Sequence, residues 1–297
     1  MENKILVKDS FKDYLGAKDY LSSSDISQLL KSQKHFEAYH SGKITFEETT
    51  SQKIGTAVHC AILEPNEFGN LYVMFSKLSL PFPDSTMAKK ENKEWYENFC
   101  EMNLGKTILN DEEFKKIKEI QKSVFSNKIA FDLLQGCLIE NSFYGEIDFE
   151  GEKIKIRMRP DAINVEQGYF ISLKTTQDAS ADGFGNECAK WKYHAKESFY
   201  MHGLRYLLPD GQKPNTGYFI AVENQSPYLC QVFDMNEDRE IVSEFFEVGK
   251  HLVDIAFSRY NDLIKTKVAK GYEYESNGIV QLKLPKYAVI NSNNKLI

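Results

Sequence analysis

The spacing of apolar positions changes character once along this chain. From about residue 20 to residue 135 it carries the three-and-four period of amphipathic helices. Leu21-Ser22-Ser23-Ser24-Asp25 supplies an N-cap ahead of Ile26, Leu29 and Leu30, and Phe36 and Tyr39 extend that face. A second helix contains Ile54 to Leu63. Gly55, Ala57 and Ala61 give it a small-residue face for close packing, and Glu64-Pro65 stops it. Pro81-Phe82-Pro83-Asp84 predicts a loop, and the charged run Lys89 to Glu94 leads into a helix reaching about residue 103. Asn110-Asp111-Glu112-Glu113 opens a further helix with Phe114, Ile117, Ile120 and Val124 on one face.

From about residue 138 the period becomes two. Ile139 to Phe143 and Ile147 to Phe149 alternate, with Gly145 expected in the turn between them. Ile154, Ile156 and Met158 alternate with Lys155, Arg157 and Arg159, which predicts a meander of antiparallel strands. Tyr169 to Lys174 is a further strand. Residues 181–207 have a helical pattern with a break near 190. Thr216 to Val222 and Tyr228 to Phe233 form a strand pair around Glu223-Asn224-Gln225-Ser226-Pro227. A long helix is expected from Asn236 to about 265, then a short alternation from Ile279 to Leu284 before Pro285. With no repeat and no low-complexity linker, the expected organisation is one α/β domain over 1–297. It comprises a helical layer at 20–135, a core with a mixed central sheet flanked by helices at 136–265, and a C-terminal extension at 266–297.

Composition narrows the class. Of 297 residues, 42% are hydrophobic and 13% aromatic, which is enough apolar mass to exclude disorder as the main state. No run approaches the ~20 apolar residues a membrane span needs. The start, Met1-Glu2-Asn3-Lys4, lacks the basic-then-apolar pattern of a signal peptide. Five dispersed cysteines without a CxxC pair point to a reduced, cytoplasmic chain and away from a zinc knuckle or iron–sulfur cluster. The net charge of -6, from 37 Lys+Arg and 43 Asp+Glu, argues against coating nucleic acid through bulk charge, though it leaves room for a local basic groove.

The chemistry concentrates in Arg159-Pro160-Asp161, ten residues, then Ser172-Leu173-Lys174. Strand alternation puts Ser172 and Lys174 on one face. A carboxylate beside a lysine at adjacent strand ends suits metal-assisted phosphodiester hydrolysis. The carboxylate binds Mg²⁺ or Mn²⁺, and the lysine orients or deprotonates a water and stabilises phosphate charge. On spacing alone, a turn aspartate and a solvated lysine satisfy the same pattern. The chain has no GxSxG elbow, Walker-type loop or HExxH helix.

Pro160-Asp161 with Ser172-Leu173-Lys174 resembles the PD-(D/E)XK nuclease superfamily, and the surroundings resemble RecE-type phage exonucleases (exodeoxyribonuclease VIII-like). Leu21-Ser22-Ser23-Ser24-Asp25-Ile26 with Lys34-His35-Phe36 is similar to their opening segment. Gly55-Thr56-Ala57-Val58-His59 through Leu63-Glu64-Pro65 resembles their GTA-x-H-x-x-x-LEP helix. Arg159-Pro160-Asp161 and Leu173-Lys174-Thr175-Thr176 resemble their RPD and D-x-KTT strands. Trp191-Lys192-Tyr193-His194 with Ser198-Phe199-Tyr200 resembles their Y-H-x-Q-x-AFY helix, and Leu282-Lys283-Leu284-Pro285 their terminal I-x-LP segment.

The resemblance implies a restriction-endonuclease-like α/β core and a Mg²⁺- or Mn²⁺-dependent DNA exonuclease. Such an enzyme resects linear duplex ends from the 5′ side during phage or prophage recombination. It implies double-stranded DNA ends and a single-strand annealing protein as partners, a ring-like homo-oligomer, and the cytoplasm of a bacterial host. Carried over by position, His59 is the metal-site histidine, Asp161 the central metal ligand and Lys174 the catalytic lysine; Glu140, on the strand before, is a candidate for the extra metal-site acid of RecB-like nucleases, and a half-exposed strand glutamate fits that position equally well. Tyr200, a further candidate DNA contact, matches the tyrosine of the family's helix, a place a packed aromatic fills equally well. Lys190, Lys192, Lys196, Arg159 and Arg157 are the candidate DNA-binding cations.

Two positions depart from the pattern. Ser172 stands where the family has a second carboxylate, and Lys196 where it has glutamine. A neutral hydroxyl is a poor ligand for Mg²⁺. In one reading the carboxylate has migrated, as in restriction endonucleases with S-x-K and a glutamate on the following helix. Glu187, with twelve residues between it and Lys174, is then the first candidate and Glu197 the second. In the other, the site is degenerate and the protein binds DNA or a protein partner without cutting. A purely structural protein reusing the fold is a third class.

Overall fold

The computed structural model describes residues 6–44, 49–236, 244–272 and 279–283. Its first half is built from short helices: α1 (Phe11–Gly16), α2 (Ser23–Leu29), α3 (Gln33–His40), α4 (Thr50–Leu63) and α5 (Pro65–Leu71). Strand β1 (Tyr72–Phe75), α6 (Lys90–Met102), β2 (Thr107–Asn110), α7 (Asp111–Ser126) and α8 (Lys128–Leu134) follow. Local chemistry fixes their starts. Ser22 and Asp25, Thr49 and Gln52, and Asn110 and Glu113 form reciprocal capping boxes, each satisfying two backbone N–H groups that a helix leaves free. Pro65 does more than end α4, because it occupies the first turn of α5, where its missing N–H costs nothing.

The second half supplies β3 (Leu138–Ile139), β4 (Phe143–Phe149), β5 (Glu152–Met158), β6 (Ala162–Asn164) and β7 (Tyr169–Thr176). Then come α9 (Ala181–Trp191), α10 (Tyr193–Leu207), β8 (Thr216–Glu223), β9 (Cys230–Asp234) and α11 (Glu244–Thr266). The central sheet has the order β3-β6-β7-β8-β9. Only β7 and β8 run parallel, joined by the α9–α10 crossover, so the sheet is mixed and the fold α/β. β4 and β5 form a separate hairpin.

Strand alternation sorts the core into two layers. Tyr169, Ile171 and Leu173 of β7, with Ile220 and Val222 of β8, pack with Ala57, Val58 and Ala61 of α4 and Ile117, Ile120 and Val124 of α7. Phe170 and Phe219 point the other way, into a cluster with Phe184, Phe199, Leu204, Phe246 and Phe257 from α9, α10 and α11. Ser172 and Lys174 share the parity of Phe170, so β7 presents them toward α10.

Several elements differ from expectation. The helical layer contains a parallel pair, β1 with β2, which four-residue strands do not announce through periodicity. Gly145 is not in a turn. It lies within β4 opposite Ile156, and a Cβ there would overlap the Leu207 side chain. The chain reverses instead at Glu150-Gly151, both with positive φ (54° and 78°). The last described helix begins at Glu244; residues 237–243, in the expected start of that helix, lie outside the described residues. Residues 279–283 form no strand, and Leu284 and Pro285 lie outside the described residues. Among the described residues no helix is long and apolar enough to cross a membrane.

Helices α10 and α11 approach closely at Gly249, where a Cβ would overlap the His194 carbonyl and the Ser198 hydroxyl. Ser198 Oγ donates to the Phe246 carbonyl at 3.0 Å beside that crossing. Alanine favours a helix over glycine by about 1 kcal/mol, yet Gly249→Ala should destabilise by about 1–3 kcal/mol through overpacking. A lowered urea midpoint checks this.

Candidate metal centre

Asp161 stands immediately before β6. Ala162 pairs with Ile171, so the aspartate lies one step along, level with Ser172 and Leu173 of β7. The Leu173 backbone N–H donates to Asp161 Oδ2 at 2.7 Å and fixes the carboxylate. Lys174 Nζ lies 3.8 Å from the same oxygen. From the opposite layer, α4 delivers His59, whose Nδ1 is 4.0 Å from Asp161 Oδ1. Glu140 follows β3, and its backbone N–H donates to the Asp161 carbonyl at 3.1 Å. His59, Glu140 and Asp161 each offer a ligand atom, all within 4.8 Å of one another.

Glu140 adopts φ +49°, a left-handed conformation that costs a non-glycine residue energy and persists only when neighbours enforce it. Arg159 Nε donates to Glu140 Oε2 at 2.8 Å. Arg159 Nη1 donates to Asp9 Oδ1 at 2.9 Å and Ser142 Oγ at 3.0 Å, and Ser142 Oγ donates to Asp9 Oδ1 at 2.6 Å. Lys8 Nζ donates to the Ile139 carbonyl at 2.8 Å. The segment before α1 thus braces the corner that carries Glu140. Sequence reasoning missed Asp9 and Lys8, since they act on residues 131–150 positions away and belong to no motif.

The electrostatics follow from crowding charge into a largely buried space. Burial would raise Asp161, but Lys174, His59, Lys196 and the Leu173 N–H outweigh it and hold the carboxyl below its ordinary value. Burial, then the Asp161 charge, push Glu140 up to about 7 against the pull of Arg159. His59 is lowered by burial and by Lys174 and Lys196, despite Asp161. Burial, then Lys196, also lower Lys174. Burial acts downward on Lys196 too, yet Tyr200, Glu197 and Asp161 hold it above its ordinary value. Two carboxylates and an uncharged imidazole that converge while the acids repel each other are a donor set suited to a divalent cation. The oxygen majority fits Mg²⁺ or Mn²⁺.

The other sequence candidates separate. Ser172 is fully buried. Its Oγ donates to Glu197 Oε1 at 2.8 Å and accepts from Lys174 Nζ at 3.3 Å. Glu187 is not brought to Ser172, because its carboxylate accepts from the Thr176 hydroxyl further along β7. The reason is the break at Lys192, which has φ +55° and re-aims α10 so that Glu197 faces the strand. The twelve-residue spacing from Lys174 favours Glu187, but spacing does not show which way each helix faces. Lys190 and Lys192 are exposed, flanking Trp191, which is 57% exposed and lies 4.9 Å beneath Lys190 Nζ. Lys196 is partly exposed, 5.2 Å over the Tyr200 ring. Tyr200 is buried and its hydroxyl donates to the Arg159 carbonyl at 3.2 Å. Arg157 is buried and donates to the Tyr14 carbonyl. Arg159 and Arg157 therefore spend their guanidinium groups inside the protein.

Arg159→Leu leaves Asp9 and Glu140 without their cation and should cost about 3 kcal/mol of stability. Lys190→Ala should stay within about 0.5 kcal/mol of the parent. Urea unfolding of the two variants separates an internal cation from a surface one.

No curated protein matches the chain. Among solved structures, a candidate exonuclease from Eubacterium rectale is similar over 98% of this chain and 100% of its own, at 13% identity and a TM-score of 0.59. A phage-related exonuclease from Haemophilus somnus 129PT overlaps 84% of this chain and 96% of its own, at 12% identity and a TM-score of 0.34. The first of these shares the fold. Residues 22–273, spanning both core layers and every residue of the His59, Glu140 and Asp161 group, match the family described as a PDDEXK-like domain of unknown function (DUF3799), and the chain belongs to that family.

Proposed function

We propose that the protein is a metal-dependent deoxyribonuclease of RecE type, which resects linear double-stranded DNA ends by hydrolysing phosphodiesters. The observation that carries this reading is the convergence of His59, Glu140 and Asp161 within 4.8 Å, with Lys174 Nζ 3.8 Å from Asp161. His59, Glu140 and Asp161 would hold Mg²⁺ or Mn²⁺. When bound, the cation supplies positive charge for the scissile phosphate and makes a water a stronger acid. Asp161 is pre-aimed by the Leu173 N–H, so its orientation needs no rearrangement. Burial and the Lys196 charge lower Lys174, which suits it to take a proton from the attacking water. In its charged form the same ammonium offsets negative charge developing on the phosphate.

Lys190 and Lys192 are the exposed cations that would follow the DNA backbone, with Lys196 nearer the reacting phosphate. A local cation group of this kind attracts phosphate despite the net charge of -6. The biological setting we propose is recombination of phage or prophage DNA in the bacterial cytoplasm, with a single-strand annealing protein as partner and a ring-like homo-oligomer as the working form. One observation favours a second reading, in which a degenerate site binds DNA or a protein without cutting: position 172 carries no carboxylate.

The test is linear duplex DNA with Mg²⁺ or Mn²⁺. The expected outcome is release of nucleotides that stops with chelator and is abolished by Asp161→Asn. Salt-sensitive binding without such release supports the second reading. Lys190→Ala with Lys192→Ala should reduce the slope of log affinity against log salt by about 2, one unit for each phosphate that is no longer neutralised.

A further inference from the structure

The hydrogen bonds around Ser172 have a fixed direction. A carboxylate can only accept and an ammonium can only donate. Ser172 therefore gives its single proton to Glu197 Oε1 at 2.8 Å, and its lone pairs receive Lys174 Nζ at 3.3 Å. Glu197 is wholly buried, and its second oxygen, Oε2, has no hydrogen-bond partner. Leaving such an atom unpaired in the interior is costly, so stability alone does not account for a glutamate here. Its charge is balanced by lysines on two sides: Lys196 Nζ at 3.9 Å directly, and Lys174 through the serine. Among the described residues Glu197 is not part of the His59, Glu140 and Asp161 group.

We infer that Glu197 is a positioning residue for Lys174, acting through the Ser172 hydroxyl. This rests on the reading that Lys174 serves phosphodiester hydrolysis. Lys174 is then held from two sides, by Asp161 and by the Ser172–Glu197 pair, so its ammonium cannot swing away between turnovers. The inference also accounts for the serine. An aspartate at 172 would be acceptor-only and would bring a second carboxylate against Glu197, where like charges repel. Serine is both acceptor and donor, so it can sit between a lysine and a glutamate. Ser172 and Glu197 are a matched pair, in which the serine carries no charge itself but links Lys174 to one.

The full chain is tested as Ser172→Ala and Glu197→Gln, with Asp161→Asn as the control and thermal melts to establish folding. Three quantities are read: kcat and KM on linear duplex DNA with Mn²⁺, Mn²⁺ affinity by calorimetry, and the rate of reductive methylation of Lys174 in metal-free protein by mass spectrometry. Ser172→Ala should lower kcat about tenfold to a hundredfold, the scale on which misplacing a reacting group acts, with KM and Mn²⁺ affinity unchanged. Methylation of Lys174 should accelerate. Glu197→Gln should move the same quantities less far, since an amide oxygen still accepts from the serine. Wild-type kcat and methylation in Ser172→Ala overturn the inference, as does loss of Mn²⁺ affinity in Glu197→Gln, which would make the glutamate a ligand. If Asp161→Asn still cuts, the nuclease-site reading itself fails. If it is dead while Ser172→Ala is fully active, only the positioning role fails. The methylation arm decides the inference even in a protein that does not cut.

Discussion

The site depends on one constraint, the burial of an ionised aspartate where two antiparallel strands meet. Asp161 is removed from water by the helical layer on one face and by α10 on the other. Burial alone would neutralise it. A backbone N–H at 2.7 Å and the cations Lys174, His59 and Lys196 keep it charged. Those same groups then need accommodation of their own. His59 and Lys174 lose affinity for protons, Glu140 gains it, and Arg159 is drawn in to steady Glu140. The arrangement is one coupled set of charges rather than a collection of independent ones.

The two layers of the core are what bring the set together. β7 sends alternate residues to opposite sides. Leu173 anchors the α4 face while Ser172 and Lys174 project toward α10. His59 reaches in from the first half of the chain and Glu197 from the crossover helix. Each arrives on a helix whose apolar stripe is committed to the sheet, which limits how far the polar group beside it can stray.

Much of this was legible in the sequence, for identifiable reasons. Helices with strong caps, such as α7 behind Asn110, and strands with clean alternation, such as β5 and β7, announce themselves locally. His59, Asp161 and Lys174 stand out through short motifs, and the structure places them side by side. The errors arose where a local pattern had more than one continuation. Gly145 permits a turn, but a strand also uses glycine where another side chain presses on it, as Leu207 does. Spacing from Lys174 favours Glu187 over Glu197, whereas the left-handed geometry at Lys192, which aims Glu197 at β7, leaves no signal in the sequence. Asp9 carries no signal at all, since its partner Arg159 is 150 residues distant.

That distance has a consequence for how the protein is made. The brace on Glu140 joins the first few residues of the chain to a strand pair formed far downstream, and closing so long a loop is an entropic cost met only once the intervening core has condensed. Asp9 and His59 leave the ribosome well before Glu140, Asp161 and Lys174, and α10 emerges later still. The early segment is thus translated without the partners that give it a purpose. In a nascent chain His59, Glu140 and Asp161 do not converge until the sheet exists, so the cluster is assembled together with the fold rather than ahead of it.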